Sequence, residues 1–505
     1  MTDTIHIQTG ASPGDMVLSS TPVWSTALED IYFVFSSAAS GEVTRLGDGL
    51  VRVQDTLLVQ RLSELRRLQR RHGFRLDVDP KSEALIRDFL RESSDLSVAL
   101  SEADIALEAG AVDVALNAKG FRRKLTKEQT RDVGRLVALR NGANFSVPGA
   151  GKTTALLAVH ELVRDQEGRP LMLMVVAPRN AFIAWEEEIS ACLDRDATMV
   201  RLTGGRQRIA SMLRLDPQIV GITYQQLPSV LVEVEAYARR NRVHLVLDES
   251  HRVKSGRAGV QGAAVLTLAP LAVRRDILSG TPMPQGLSDL VPQFDFLWPG
   301  HSVCADPAVG RDDPAEQIRA ANATLSPLFV RTKKSELGLA PPIRRIIKVQ
   351  LGEQQRLLYE LLRSEAVRLA SGLDRTDRSK LRVLGRHVVR LIQAASNPQL
   401  LLVGLERGNG LLGGDAELIF LLRSMLRDEP PAKLTALHAL VGEILSKQDA
   451  KVVIWSSFVA NIDYIVGAYS GHGAVGIHGG IPTGDDEDLA YREARIRMFN
   501  QGIRI

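Results

Sequence analysis

Cysteine is scarce in this 505-residue chain, which contains only Cys192 and Cys304. Two cysteines cannot build a disulfide framework or a cysteine-based zinc site. Long hydrophobic runs are missing too, because no apolar stretch reaches the ~18 residues that a membrane span needs. The opening residues, MTDTIHIQTGASPGD, lack the basic region and the apolar core of a signal peptide. These absences predict a cytoplasmic protein that has no membrane partner.

Net charge is also small. The chain has 63 Lys and Arg residues against 59 Asp and Glu residues, a difference of +4. Lysine is the rarer cation, with 13 Lys against 50 Arg. The planar arginine fork can bond two phosphate oxygens at once, which suits a nucleic-acid ligand. A codon preference of the source genome explains the same excess equally well. Charge therefore permits a nucleic-acid partner and does not establish one.

What is present suits several folded domains. Hydrophobic residues make up 45% of the chain and charged residues 24%, as in ordinary soluble proteins, and the length suits two to four domains. Residues 1–25 are rich in Ser, Thr, Gly and Pro and predict a loose leader. The stretch 26–118 mixes β-like runs such as IYFVFSS with helix-like runs. We predict that residues 1–118 form an N-terminal α+β accessory domain of unknown role.

An arginine cluster lies on a helix predicted over residues 55–71. Five leucines recur there at helical spacing, namely Leu57, Leu58, Leu62, Leu65 and Leu68. The cluster consists of Arg66, Arg67, Arg70 and Arg71. Such a cluster is typical of a solvated helix face, and a phosphate contact is the alternative.

From about residue 120 short apolar runs alternate with amphipathic helices. The runs at 170–178, 218–224, 243–250 and 274–282 predict strands of a parallel sheet that is covered by helices on both faces. We therefore predict an α/β fold with a first lobe at 119–335, a mostly helical insertion at 336–449 and the start of a second β/α lobe at 450–505. In the last segment, AKVVIWSSF and GAVGIHGG predict strands.

The strongest local motif is SVPGAGKT at residues 146–153. It differs from the P-loop pattern GxxxxGK[ST] only in having serine at the first position. Glycines let backbone N–H groups curl round a phosphate, and the dipole of the following helix favours an anion. Lys152 is expected to neutralise the β- and γ-phosphates of ATP, and Thr153 to ligate Mg²⁺. The nucleotide-binding residues predicted from this loop are Ser146, Gly149, Ala150, Gly151, Lys152, Thr153 and Thr154.

A second motif, Asp-Glu-Ser-His at residues 248–251, lies at the end of the apolar run 243–250. Asp248 is expected at the carboxyl edge of the sheet beside the P-loop, where the Mg²⁺ shell needs a carboxylate. Glu249 is placed to orient and deprotonate the attacking water. The sequence thus predicts Lys152, Asp248 and Glu249 as catalytic residues, and Thr153 and Asp248 as metal ligands.

The order of further segments indicates a family. They are LTKEQ (125–129), VVAPRNAFIAWEEEI (175–189), ITYQQL (222–227), LSGTP (278–282), RTKKSELGLAPP (331–342) and KVVIWSSFVANIDYI (451–465). Over roughly 120–505 the chain resembles superfamily-two helicases, specifically the Swi/Snf-like DNA-translocase branch. The resemblance implies that both α/β lobes are RecA-like.

The resemblance also implies roles for matched positions. Gln129 is the expected adenine-reading residue, with an ordinary helix glutamine as the alternative. Ser279, Gly280 and Thr281 are expected to couple hydrolysis to motion between lobes. His251, grouped with the catalytic residues, is expected to link the ATP site to the other lobe, unless it is a structural histidine. The implied nucleic-acid contacts are Arg179, Asn180, Thr223, Tyr224, Ser456 and His478, and Trp185 is expected in the core.

The leading hypothesis is a motor that uses ATP and Mg²⁺ to move on duplex DNA without sequence preference. The resemblance suggests phage defence, restriction or repair as its setting, with protein partners in a multi-subunit system. One alternative is an RNA-dependent ATPase of the DEAD/DEAH type. The other is an ATP-gated scaffold subunit with little turnover.

In the family, a segment beyond the "FN" element carries arginines that reach the ATP on the first lobe. Here that element is Phe499-Asn500, and the sequence stops at Ile505. An arginine finger contributes about 10³–10⁵ in rate in related NTPases. We therefore expect residues 1–505 alone to bind ATP and to hydrolyse it slowly.

Overall fold

The chain forms two compact units, Met1–Ala340 and Pro341–Ile505. The computed structural model describes the chain except residues 1–2, 13, 38–42, 48, 102–105, 166–167, 195–196, 305–312, 372–377, 407–415, 448–449, 483–490 and 502–505. Among the described residues, no helix combines the length and the apolar character that crossing a membrane requires.

The first unit begins with a five-stranded sheet. Its strands are β1 (Thr4–Thr9), β2 (Asp15–Thr21), β3 (Val43–Leu46), β4 (Leu50–Gln54) and β5 (Arg75–Val78). They lie in the order β3-β4-β2-β1-β5, and only the β1–β5 pair is parallel. The loose leader predicted for residues 1–25 is wrong, because alternate apolar side chains of β1 and β2 are buried in a hydrophobic core: Ile5, Ile7, Met16 and Leu18.

Three helices pack on that core: α1 (Thr26–Ser36), α2 (Asp55–Gln60) and α3 (Leu62–His72). The β-like prediction for IYFVFSS is wrong, because residues 31–36 of this run belong to α1. Ser25 caps the helix by accepting a hydrogen bond from the Leu28 N–H. The buried side chains recur at helical rather than alternate spacing, at Ala27, Leu28, Ile31 and Phe35.

Two helices follow, α4 (Pro80–Ser101) and α5 (Ala109–Ala118). The long α4 joins the small sheet to the rest of the unit through buried polar contacts. The Glu92 carboxylate pairs with Arg275 and accepts a 3.2 Å hydrogen bond from Asn141. The Phe89 ring stacks on His301 at a centroid distance of 4.4 Å. Breaking a buried ion pair costs about 3–5 kcal/mol, so α4 fixes the N-terminal domain to the neighbouring lobe.

The lobe is built on a seven-stranded parallel sheet. Its strands are β6 (Gly142–Asn144), β7 (Met172–Ala177), β8 (Val200–Arg201), β9 (Ile219–Thr223), β10 (Val243–Asp248), β11 (Arg274–Leu278) and β12 (Phe329–Val330). They lie in the order β12-β6-β11-β10-β7-β9-β8, and every pair is parallel. The α/β prediction is confirmed, and the four predicted apolar runs correspond to β7, β9, β10 and β11.

Eight helices accompany this sheet in the described residues. They are α6 (Lys127–Ala138), α7 (Lys152–Val163), α8 (Phe182–Cys192), α9 (Arg206–Leu213), α10 (Leu231–Arg240), α11 (Val260–Leu268), α12 (Val291–Leu297) and α13 (Pro314–Leu325). Because the strands are parallel, their carboxyl ends share one edge. The P-loop follows β6 there, between β6 and α7, and the Asp-Glu-Ser-His motif begins at the end of β10.

The second unit is mainly helical where it is described. It contains α14 (Glu353–Ser371), α15 (Arg378–Ser396), α16 (Gln399–Glu406), α17 (Ala416–Asp428), α18 (Ala432–Leu445), α19 (Val459–Ala468) and α20 (Arg492–Gln501). Within the helical insertion predicted at 336–449, most described residues from 353 onwards belong to these helices. The strands predicted at 450–458 and 473–480 are wrong, since no described residue of either stretch joins a ladder, and a strand needs a hydrogen-bonded neighbour.

Candidate nucleotide-binding site

The P-loop connects β6 to α7 through two glycines in left-handed backbone conformation. Gly149 has φ +85° and Gly151 has φ +74°. A side chain at either position would be strained, since L-residues rarely adopt positive φ. Gly149 also has no atom within 4 Å of where a Cβ would lie. The loop therefore leaves its backbone accessible to an anion in front of the α7 N-terminus.

Lys152 is the first residue of α7 and points back into the loop. Its Nζ donates a 3.2 Å hydrogen bond to the carbonyl oxygen of Ser146. Burial lowers the pKa of Lys152 below its ordinary value, and the charges of Glu249 and Asp248 oppose that effect. The structure thus brings the Lys152 ammonium group near the carboxylates of Asp248 and Glu249, which lie almost a hundred residues further along the sequence.

The Asp248 carboxylate is held from two sides at the end of β10. Its Oδ2 accepts a 2.9 Å hydrogen bond from the Trp185 indole, and its Oδ1 accepts one of 2.9 Å from the Glu249 N–H. Burial raises the pKa of Asp248 above its ordinary value, and the Trp185 bond acts in the opposite direction. Two donors thus fix the orientation of the carboxylate, and the charge of Lys152 also lowers the pKa of Asp248.

Glu249 begins a polar chain that leads to β11. Its backbone has φ +52°, an unusual value for a residue with a side chain, and its carboxylate is 42% exposed. The Nδ1 of His251 lies 3.3 Å from Glu249 Oε2 and 3.2 Å from Ser279 Oγ. His251 therefore links the Glu249 carboxylate to Ser279, which follows the end of β11.

The LSGTP segment also touches the P-loop directly. Ser279 is buried, and its hydroxyl accepts a 3.2 Å hydrogen bond from the N–H of Thr281, which is exposed. A Cβ on Gly280 would lie 2.9 Å from the Cδ of Pro148, inside normal contact distance. The backbone of this segment therefore packs on the P-loop ring of Pro148.

Gln129 lies against the P-loop rather than in open solvent. Its amide Nε2 donates to the Ala150 carbonyl at 3.2 Å. Its Oε1 accepts from the Thr126 N–H at 2.9 Å, which completes the capping box that begins α6. Adenine reading by Gln129 stays a prediction, because both ends of its amide already have protein partners.

The side chains of Thr153 and Thr154 differ in their surroundings. Thr153, the second residue of α7, is half-buried. The Thr154 hydroxyl donates a 2.7 Å hydrogen bond to Glu188 of α8, and Glu188 also pairs with Arg123 at 2.5 Å. Thr154 is thus engaged in helix packing, and only Thr153 matches the position expected of a metal ligand.

The predicted nucleic-acid contacts of the first unit divide into surface and core residues. Arg179 and Asn180 are exposed in a short 3₁₀ helix after β7, and Thr223 is half-buried at the end of β9. Tyr224 is completely buried, and its hydroxyl donates 2.8 Å to the carbonyl oxygen of Asp248. Tyr224 therefore helps to hold the backbone of Asp248 in place. Contact with a nucleic acid would require the Tyr224 side chain to be exposed, and it is buried.

In the second unit, Ser456 and His478 are half-buried and bonded to near neighbours. The Ser456 hydroxyl accepts hydrogen bonds from the Phe458 N–H at 3.3 Å and from Asn461 Nδ2 at 3.2 Å. The His478 Nδ1 accepts from the Gly480 N–H at 3.1 Å, and its Nε2 lies 3.5 Å from Asp463. Nucleic-acid contact by these two residues stays a prediction.

A buried network around Ser146 was not predicted. The Ser146 hydroxyl lies 3.3 Å from Asp132 Oδ2 and accepts a 2.9 Å hydrogen bond from the Thr332 N–H. Thr332 also donates to Asp132 at 2.8 Å, and Arg131 pairs with Asp132 at 2.8 Å. The one sequence signal for this network is the serine at the first P-loop position, where a glycine has no hydroxyl to share.

The polar groups of the site suit the binding of a nucleotide with its Mg²⁺ ion. Backbone N–H groups at a helix N-terminus and a lysine bind phosphates, while a carboxylate and a hydroxyl are the hard oxygen ligands that Mg²⁺ prefers. Asp248 and Thr153 are the residues that would hold the ion, and Lys152 with the loop from Gly149 to Gly151 would hold the phosphates.

Comparison with known proteins gives the family. The SNF2-related domain matches residues 138–400, which is just over half of the chain. The ISWI chromatin-remodeling complex ATPase CHR11 of Arabidopsis thaliana is 24% identical over 377 residues, which cover 72% of this chain and 33% of the relative. Helicase SWR1 of Mycosarcoma maydis is 27% identical over 256 residues, which cover 45% of this chain and 14% of the relative.

A solved structure, the Sulfolobus solfataricus SWI2/SNF2 ATPase core in complex with dsDNA, is 20% identical to this chain. The match covers 69% of this chain and 70% of that one, with a TM-score of 0.38. The chain spans about a third of the length of the remodelling ATPases that it matches over the longest stretches. The extent of the domain match confirms the resemblance seen in the motifs: the chain belongs to the family of proteins that carry the SNF2-related domain.

Proposed function

We propose that this protein is an ATP-dependent motor that moves on duplex DNA. The observation that carries the proposal is the meeting of Lys152, Asp248 and Glu249 at the carboxyl edge of one parallel sheet. Each group alone is common in proteins. A loop lysine flanked by two carboxylates, in front of a helix N-terminus, is the arrangement that phosphoryl transfer from ATP requires.

In the proposed mechanism the P-loop binds the phosphates and Lys152 offsets their charge. Asp248, oriented by Trp185, and Thr153 hold the metal ion. When bound, Mg²⁺ supplies charge neutralisation at the transferring phosphoryl group. Glu249 orients a water molecule and accepts its proton, a role that its exposed carboxylate permits.

The same geometry supports a path from hydrolysis to motion. A change in the charge or hydrogen bonding of Glu249 reaches His251 at 3.3 Å and Ser279 through His251 at 3.2 Å. The next residue, Gly280, packs on the P-loop. We infer that Ser279, Gly280 and Thr281 respond to the state of the nucleotide through these two contacts.

Duplex DNA is the proposed track. Arg179 and Asn180 follow β7, and Thr223 ends β9, so all three lie at the edge of the sheet that carries the nucleotide site. Such side chains bind backbone phosphates and position a strand without reading bases. The relatives that are named chromatin-remodeling ATPases and helicases support the choice of a nucleic-acid motor. We assign residues 119–335 to the motor lobe, 336–449 to a helical insertion and 450–505 to the start of a second lobe.

Nucleotide binding and turnover by two variants test the ATP site. Lys152→Ala should abolish ATP binding, because the phosphates lose their lysine. Glu249→Gln should keep ATP binding and block hydrolysis, because it removes the base and preserves the loop. Normal hydrolysis by Glu249→Gln would show that another residue is the base.

The choice of polymer tests the rest of the proposal. ATP turnover is measured with duplex DNA, with single-stranded DNA and with RNA. Duplex DNA should stimulate turnover most strongly. Stimulation by RNA alone would favour a DEAD/DEAH-type ATPase instead, and tight ATP binding without turnover on any polymer would favour an ATP-gated scaffold.

A further inference from the structure

A groove of about 470 Å³ lies between α1 and α3 on the outside of the N-terminal domain. Its α1 wall consists of Asp30, Phe33 and Val34, and its α3 wall of Arg67, Leu68 and Arg71. The groove thus has an aromatic ring on one side and two guanidinium groups on the other. It is built from elements that the proposed motor site does not use.

The aromatic wall is unusually accessible. The Phe33 side chain is 68% exposed, although the buried face of the same helix holds Ala27, Leu28, Ile31 and Phe35. Full burial of a phenylalanine side chain stabilises a folded protein by about 1.5–3 kcal/mol, and the exposed Phe33 does not provide this stabilisation. A single exposed apolar residue needs no explanation by itself. Here the ring faces a groove whose opposite wall is cationic, and this pairing is what calls for a ligand.

The cationic wall is a concentration of charge in an otherwise acidic domain. Residues 1–101 contain 11 Lys and Arg residues against 14 Asp and Glu residues, yet four exposed arginines occur within six positions of α3: Arg66, Arg67, Arg70 and Arg71. In the described part of the domain, no carboxylate forms an ion pair with Arg66, Arg67 or Arg70. Arg71 lies 3.8 Å from Asp30, whose carboxylate also has His72 at 2.9 Å.

We propose that this groove binds an unpaired nucleic-acid strand, with Phe33 stacked on a base and Arg67 and Arg71 bonded to the adjoining phosphate. Every base presents a π face, so stacking on an aromatic side chain is tolerant of sequence. Guanidinium groups bond phosphate oxygens in pairs. A duplex keeps its base faces stacked inside, which is why the exposed ring favours an unpaired strand over a duplex.

The site moves with the motor lobe. The α4 helix fixes the N-terminal domain to that lobe through the buried Glu92–Arg275 pair and through Asn141. A strand held in the groove is therefore held by the same body that carries the nucleotide site. Binding in the groove needs no ATP, so it is independent of the proposed motor activity.

The test measures the binding of a fluorescent oligothymidylate strand to the full chain without nucleotide. Phe33→Leu keeps an apolar side chain and removes the π face, and we expect binding about 5- to 100-fold weaker. The Arg67→Glu/Arg71→Glu double variant should also weaken binding and flatten its salt dependence. Arg75→Glu is the matched control, because Arg75 is exposed on β5, whose alternate residues Leu76 and Val78 pack on the core that holds α1 and α3.

An oligonucleotide of equal length without bases separates stacking from charge. Wild-type protein should bind it more weakly than oligothymidylate, and Phe33→Leu should cause no further loss on it. Equal affinities of wild type and Phe33→Leu for oligothymidylate would overturn the proposal, as would a loss of affinity in Arg75→Glu equal to that in the Arg67→Glu/Arg71→Glu variant. Displacement of the strand by polyglutamate at equal charge would also overturn it, and would indicate an acidic protein partner instead. Lys152→Ala should bind oligothymidylate as wild type does, because the groove lies outside the nucleotide site. A failure of the motor proposal would therefore be seen in ATP turnover, and the affinity for the strand would not change.

Discussion

The indole Nε1 of Trp185 donates a 2.9 Å hydrogen bond to the Oδ2 of Asp248. Trp185 belongs to α8 and is buried, while Asp248 ends β10. The bond counteracts the rise in pKa that burial imposes on the Asp248 carboxyl group. Trp185 therefore has two roles: it fills the core, as its sequence context predicts, and it orients the carboxylate proposed to hold Mg²⁺.

Trp185→Phe should lower the affinity of the protein–ATP complex for Mg²⁺ by about 10-fold, since loss of a hydrogen bond behind a metal ligand typically costs 10–100-fold. The measurement is the Mg²⁺ dependence of ATP turnover. Trp298→Phe is the matched control, because Trp298 is equally buried and its Nε1 forms no hydrogen bond with a described residue. An equal Mg²⁺ requirement in both variants would refute the orienting role of Trp185.

Gly280→Ala should weaken ATP binding at least about fivefold. The added Cβ would lie 2.9 Å from Pro148 Cδ, and the stiff proline ring can move only with the P-loop; such overpacking costs about 1–3 kcal/mol. Gly205→Ala is the control, because Gly205 has φ −77° and no atom within 4 Å of the added methyl group. Nucleotide titration decides between them, and an unchanged ATP affinity in Gly280→Ala would show that the two loops are not coupled.

Duplex binding should fall steeply with salt and should not distinguish a given duplex from its scrambled sequence. Each phosphate contact made by a cation releases counterions, which contributes about −0.9 to the slope of log K against log salt. Arg179→Ala should reduce the steepness by about that amount. Asn180→Ala is the neutral control next to it, and it should leave the slope unchanged. A strong preference for one sequence, or a flat salt dependence, would contradict backbone recognition.

Asp79→Ala should lower the free energy of unfolding of the N-terminal domain by about 1 kcal/mol at pH 7. The Asp79 carboxylate accepts hydrogen bonds from the Ser82 hydroxyl at 2.6 Å, the Thr9 N–H at 2.6 Å and the Lys81 N–H at 2.8 Å. These bonds, that from Ser82 above all, lower the pKa of Asp79 from 3.8 to about 2.

Because the folded-state pKa lies below the unfolded one, the contribution of Asp79 is present above pH 3.8 and is lost as pH falls towards 2. Urea unfolding of Asp79→Ala and wild type should therefore differ at pH 7 and converge only as pH falls to about 2. Asp88→Ala, a change at an exposed carboxylate on α4, is expected to have little effect at any pH. Asp79 directly precedes α4, which begins at Pro80. A difference between Asp79→Ala and wild type that persists in full at pH 2 would mean that the charge of Asp79 is not what stabilises the start of α4.

Local patterns explain which parts of the fold could be predicted. The runs that became β7, β9, β10 and β11 are continuously apolar because their strands are covered on both faces, and such runs are readable in sequence. The strands β6, β8 and β12 have two or three residues each and carry too little pattern to be predicted. The prediction of a loose leader at residues 1–25 was wrong for a related reason. The Ser, Thr and Gly residues of this segment obscured the alternating apolar residues of its two strands, Ile5, Ile7, Met16 and Leu18.

By itself, the sequence determined the P-loop, the Asp-Glu-Ser-His motif and their order, because each depends on residues that are neighbours in the chain. Tertiary structure alone decided which side chains serve those motifs. Trp185 and Tyr224 support Asp248 from 63 and 24 residues away, and Thr332 reaches Ser146 across 186 residues. The sequence records none of these distances. Parallel strands bring their carboxyl ends to one edge of the sheet whatever their separation along the chain, and the hydrogen bonds form only there.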